Sequence, residues 1–221
     1  MKQILSFVAA VSIIGGTALA QTTVESCNRT VSFDAPPKRA ISNDVNLTEM
    51  MLVLGLADHM VGYTGISGWK TLDEEMRTNV KQLPELSSKY PTKEVIVGAN
   101  ADFFFAGWNY GMKVGGEVTP ETLEPFGVKV YELTESCTHI MKKGKASIDD
   151  MYADLLNLGS IFNVEDRAKN LVNDYKAELK SFSFKSNFSQ PVSSNKASIL
   201  FLLPPSLAIF FCFAVSFFLL R

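Results

Sequence analysis

The chain has 221 residues, 47% apolar and 20% charged, a length suited to one ordinary domain or two small ones and a composition that excludes global disorder. All 23 acidic residues lie between positions 25 and 178, so residues 21–182 hold 17 basic against 23 acidic groups, a net of −6, and the ends hold no acid. That acidity argues against a nucleic-acid partner, which demands a basic face, and the apolar ends account for the slightly positive mean hydropathy of +0.11.

Residues 1–20 combine Lys2, an uncharged run over 4–16 and Ala18-Leu19-Ala20, the three parts of a secretory signal peptide. Export places Cys27 and Cys137 in an oxidising compartment, where two thiols of one domain pair more often than not. The disulfide would close a loop whose entropy is worth about 4 to 5 kcal/mol. Cys212 is left odd.

Short strands are predicted at 31–33 and 39–42. Asn46-Leu47-Thr48-Glu49 reads as a capped helix start, with Leu47, Met50, Met51 and Leu54 on one face and Gly55 as its stop. A strand at 60–63 leads to a loop marked by Gly65 and Gly68, then a short helix carrying Leu72 and Met76. Thr92 is placed to cap a helix bearing Val95, Ile96 and Ala99, before a buried strand at 102–105. Thr119-Pro120-Glu121 opens another short helix ending near Phe126-Gly127, before a strand at 128–131. Ser147 caps a run with Met151, Tyr152, Leu155, Leu156 and Leu158. Val164, Ala168, Leu171, Val172, Tyr175 and Leu179 follow at helical spacing to about Lys180.

Strands alternating with helices predict an α/β fold, a Rossmann-like parallel sheet flanked by helices and ending in a long helix. The expected segments are a signal peptide over 1–20, a lobe over 21–163, a long helix over 164–182, a polar linker over 183–196 and an apolar tail over 197–221. The tail has six Phe and a Pro204-Pro205 interruption but no charge before Arg221. It reads either as a transmembrane anchor or as sequence foreign to the domain.

No nucleophile elbow, phosphate loop or zinc-type cysteine pair occurs, so no enzyme, no metal centre and no intrinsic cofactor are expected. Cys137-Thr138-His139 would be the only foothold for a hydrolase or redox enzyme, and a disulfide would consume that thiol. His59 is far from His139 in sequence. The distinctive feature is aromatic side chains at strand ends: Tyr63, Trp69, Trp108 and Tyr110. Such rings offer an apolar face with a polar handle and suit a broad ligand, because ligands of parallel sheets bind beyond the carboxyl ends of strands. Asn43 and Asn46 fall at the same kind of position.

The stretches Val31-Ser-Phe-Asp-Ala-Pro-Pro-Lys-Arg-Ala-Ile-Ser42, Thr48-Glu-Met-Met-Leu-Val-Leu-Gly-Leu56, Lys93-Glu-Val-Ile-Val-Gly-Ala-Asn-Ala-Asp-Phe-Phe-Phe105 and Leu123-Glu-Pro-Phe-Gly-Val-Lys-Val-Tyr131, in this order after a signal peptide, resemble the iron-siderophore and vitamin B12 class of periplasmic substrate-binding proteins of ABC importers. The resemblance covers about residues 28–180. It implies the first of two α/β lobes joined by a long helix, here residues 164–180, with a metal chelate bound between the lobes and a permease docked through one acidic residue per lobe. Glu94 matches the first-lobe docking glutamate, and Trp108 falls near an aromatic ligand contact of the B12-binding members. Nothing after about Phe182 resembles the second lobe, so that lobe is expected to be absent and affinity weakened. The expected function is capture of a ferric siderophore or related chelate outside the cytoplasm, in the periplasm, for an ABC permease. The alternative is an extracytoplasmic interaction module held to the membrane by residues 197–221.

Overall fold

The computed structural model describes residues 21–72 and 74–188. The predicted signal peptide and the apolar tail lie outside the described residues. No described helix is long and apolar enough to cross a membrane.

The chain opens with an antiparallel hairpin, β1 (Thr22–Ser26) and β2 (Arg29–Phe33), turned at Cys27. Val24, Val31 and Phe33 face inward from it. Five parallel strands then form the sheet in the order β5 (Glu85–Ser87), β4 (Met60–Thr64), β3 (Ala40–Asn43), β6 (Phe103–Trp108), β8 (Lys129–Glu132). The chain enters at the centre with β3, winds outward through β4 and β5, then crosses back to lay β6 and β8 on the other flank. The direction of winding therefore reverses between β3 and β6. A two-residue strand, β7 (Gly111–Met112), sits beside the end of β6.

Alternation along β3 and β6 divides the core into two layers. Ala40, Phe103 and Phe105 pack with the hairpin and with α1 (Val45–Val53), α5 (Ile148–Ile161) and α6 (Glu165–Phe188). Ile41, Phe104 and Ala106 face the opposite way, against Ile96 of α3 (Lys93–Gly98) and Leu123 of α4 (Pro120–Leu123). A third cluster gathers Tyr63, Ile66, Met76 and Val80 around α2 (Glu74–Asn79). Strands buried on both faces are what a doubly covered parallel sheet requires.

Local signals operate largely as the sequence indicates. Thr119 and Thr122 form a reciprocal capping box, as do Ser147 and Asp150, and Gly55 follows the end of α1 in the left-handed region. At the start of α1 the expectation is corrected. Asp44, not Asn46, is the cap, accepting the Val45 N–H at 2.7 Å. Asn46 is already inside the helix, where the Thr48 hydroxyl donates to the Asp44 carbonyl and accepts from Ser42 Oγ, each at 2.7 Å. The last helix runs on to Phe188, into the stretch expected to be a polar linker. Its approach to α5 is close: a Cβ on Gly159 would lie 2.5 Å from the Ala168 Cβ.

The hairpin is fastened to the sheet at one end. Cys27 and Cys137 are disulfide-bonded, with Cα atoms 5.3 Å apart. Beside them Glu132, its side chain fully buried, accepts hydrogen bonds from Ser26 Oγ at 2.8 Å, Arg29 Nη2 at 2.8 Å and Trp108 Nε1 at 2.8 Å. A second buried carboxylate, Asp154 of α5, accepts from Tyr131 Oη at 2.8 Å and from the Thr134 hydroxyl and backbone N–H. This joins α5 to the end of β8 and to the 3-10 turn Thr134–His139 that follows.

Candidate functional site

The winding reverses between β3 and β6, and in parallel sheets the loops beyond the carboxyl ends of the strands diverge at such a reversal into the crevice where ligands bind. The residues delivered there come from three places. Asn43 and Asp44 end β3. The loop 65–70 follows β4, with residues 88–90 following β5 beside it. On the far side lie Asn109 and Tyr110 after β6 and the turn after β8 that carries Glu135.

Asn43 lies at the floor, fully buried. Its Oδ1 accepts from Thr64 Oγ1 at 2.9 Å, and its Nδ2 has no hydrogen-bond partner. Two glycines enclose it. A Cβ on Gly65 would lie 2.7 Å from Asn43 Oδ1, and one on Gly111 2.8 Å from Nδ2; both have positive φ, +76° and +98°. Only glycine accommodates both the conformation and the approach.

Asp44 Oδ1 also accepts from Lys70 Nζ at 2.9 Å, so one carboxylate oxygen serves the helix end and a loop cation together. The loop holding Lys70 is ordered by backbone bonds from Gly65 to Ser87 and from Gly68 to Ser88. Glu85 strengthens it, its Oε1 accepting the N–H groups of Ile66 and Ser67. Trp69 projects from this loop 58% exposed, its ring 5.8 Å from that of Tyr90, which is 39% exposed. Lys89 Nζ stands 5.4 Å from the Trp69 ring centre, within cation–π range.

Burial first, then the charges of Asp44 and the neighbouring Tyr110, push the Tyr90 phenol up to about 12. Burial, with Glu135 and Asp44, raises Tyr110 as well. Both rings therefore present neutral O–H groups at physiological pH. Burial raises the Glu135 carboxyl, Asp150 adding to the shift and Lys143 opposing it. The crevice is thus polarised, with Lys70 and Lys89 on the β4–β5 flank and Glu135 on the β8 flank.

Of the six residues the sequence nominates for ligand contact, the structure brings Trp69 and Tyr110 to this crevice, with Asn43 beside it but fully buried under Gly65 and Gly111. Trp108 is only 6% exposed; its indole N–H is bound to Glu132 and its backbone N–H to Ser136 Oγ at 2.9 Å. Tyr63 is buried in the third cluster, and Asn46 lies in the first turn of α1. Glu94 stands apart and exposed on the first turn of α3, its carboxyl held below the usual range by hydrogen bonds from its own backbone N–H and from Thr92. Cys137 is spent in the disulfide and offers no thiol for nucleophilic chemistry. Among the described residues no three of His, Cys, Asp and Glu converge closely enough to hold a metal ion.

Sequence reasoning misses Asp44, Lys70, Lys89 and Tyr90. Tyr90 obeys the rule that selects Tyr63, an aromatic just past a strand. It escapes because β5, Glu85-Leu86-Ser87, is too short and polar to register as a strand.

No protein-family model matches the chain, and no curated protein matches it. Solved structures do. A periplasmic binding protein from Veillonella parvula superposes with a TM-score of 0.62 at 23% identity, over 73% of this chain and 53% of that one. The ABC-type Fe3+-hydroxamate transport system protein from Saccharomonospora viridis gives a TM-score of 0.59 at 25% identity, over 75% and 56%. Staphylococcus aureus SirA, solved with staphyloferrin B, gives 0.56 at 16%, over 75% and 50%. The chain spans about half the length of these structures. Its α/β architecture, a parallel sheet flanked by helices and followed by a long helix, is that of a lobe of such binding proteins.

Proposed function

We propose that this chain is a substrate-binding component of an ABC importer that captures a ferric siderophore or a related metal chelate outside the cytoplasm. The observation that carries the reading is the crevice at the winding reversal, where Asn43, Trp69, Tyr90 and Tyr110 converge on a sheet that matches siderophore-transport binding proteins in fold. Broad rings and neutral phenols bind the organic shell of a chelate without chemistry. In this reading Glu94, exposed and ionised away from the crevice, is a contact for the permease.

The test is titration of the protein with ferric siderophores, haem and cobalamin, followed by emission of Trp69. Saturable quenching by one of these, lost in Trp69→Leu, is the expected result. No saturable change with any of them overturns the reading.

A further inference from the structure

We propose that the β4–β5 flank of the crevice is a subsite for an anionic, planar aromatic group of the ligand, such as an ionised aryl chelating arm, and that Asp44 holds Lys70 in reserve for it. The inference rests on the chelate-binding reading above and names the chemistry that this site selects.

Three observations converge. Trp69 is the most exposed aromatic ring of the flank, yet it is steadied by Tyr90 at 5.8 Å and by a loop tied through Glu85 and Ser88. A large exposed ring on an ordered loop has apolar area to bury and little entropy left to lose. One ammonium, of Lys89, stands over the ring at 5.4 Å, and the next residue in the loop, Lys70, carries its ammonium to Asp44 at 2.9 Å. The half-exposed Lys70 is neutralised by Asp44, whose side chain is nearly buried and is also engaged by the Val45 N–H.

The consequence is an exchange. An arriving anion can take the Lys70 ammonium from Asp44, because Asp44 keeps its hydrogen bond to the end of α1 and is not left unpaired. The aryl plane would stack against the exposed Trp69 ring, and Lys89 would contribute its charge from its place over that ring. The acidic groups bound the subsite: Asp44 lies beneath Lys70, and Glu135 lies across the crevice on the β8 flank, where a second anionic arm would be repelled.

The experiment compares two gallium(III) complexes of equal denticity by calorimetry on the full chain in mild detergent: an anionic hexadentate tris-catecholamide and a neutral hexadentate tris-hydroxamate. The anionic complex is expected to bind at least about tenfold tighter, and Lys70→Met and Lys89→Met are each expected to weaken it alone by about three- to fivefold. Asp44→Asn keeps a capping side chain and frees Lys70, so it is expected to tighten the anionic complex by about threefold. Equal or tighter binding of the neutral complex, or lysine variants that weaken both complexes alike, overturns the subsite while leaving the chelate-binding reading intact. Binding of neither complex, nor of any chelate in the wider titration, removes that reading and the subsite with it.

Discussion

Replacing Arg29 by Met tests how the hairpin is held to the sheet. The Glu132 side chain is fully buried, and Arg29, 30% exposed, supplies two of its hydrogen bonds, from Nε at 3.1 Å and Nη2 at 2.8 Å. Arg29 also donates to the Val130 carbonyl at 3.1 Å. In the variant the Glu132 carboxylate keeps only side-chain donors from Ser26 and Trp108. Removing one member of a buried pair costs about 3 to 5 kcal/mol, and the partial exposure of Arg29, which lets water approach the vacated side, reduces the expected loss to about 2 to 3 kcal/mol. Glu132→Gln removes the stranded charge, so the double variant should cost less than the sum of the single ones by about 1 to 2 kcal/mol. Urea unfolding followed by far-ultraviolet circular dichroism, with the disulfide kept oxidised, measures both quantities. An Arg29→Met midpoint indistinguishable from wild type, or strictly additive single variants, would refute the assignment of Glu132 as the buried anchor.

Cys27→Ala with Cys137→Ala removes a cross-link spanning 110 positions and should lower stability by about 4 to 5 kcal/mol; thermal melts of the oxidised wild type and the variant decide it, and equal melting temperatures would count against it. Burial pushes the Asp154 carboxyl up to about 7, against the hydrogen bonds of Thr134 and Tyr131 that pull it down. The folded protein therefore holds a proton that the unfolded chain releases above about pH 4, so the contribution of this group to stability falls as pH rises from about 4 to about 7 and is level beyond. Asp154→Asn should flatten the fall in melting temperature between pH 5 and about 7, and an unchanged slope there would exclude Asp154 as its source. Gly111→Ala, at φ +98° with its Cβ 2.7 Å from Asn43 Cγ, should cost about 1 to 3 kcal/mol. Adding Asn43→Ala should recover part of that loss by removing the contact, and no recovery would mean the backbone angle alone is responsible.

The sheet and its layers are legible in the sequence because they rest on local periodicity. Phe103-Phe104-Phe105 can lie only in a strand covered on both faces, and Ser147, Thr119 and Gly55 punctuate helices through hydrogen bonds and angles set within four residues. The pairing of Cys27 with Cys137 follows from compartment and count. The short strands escape because Glu85-Leu86-Ser87 and Gly111-Met112 have no pattern of their own; they pair because β4 and β6 already present open edges. Likewise Asp44 wins the cap from Asn46 because β3 ends one residue before it, a fact set by pairing with β4 and β6.

Composition by itself determines an acidic lobe with two unlike apolar ends, and spacing determines which residues form strands and helices. Tertiary structure alone decides what the aromatic residues do. Trp108 and Trp69 look alike as rings just beyond strands. One is drawn inward by the buried carboxylate of Glu132, which needs its N–H, and the other is left exposed with the Lys89 ammonium over its ring. The partner that makes the difference for Trp108 lies 24 positions away on β8, beyond the reach of any local pattern, because burial and pairing are properties of the assembled sheet.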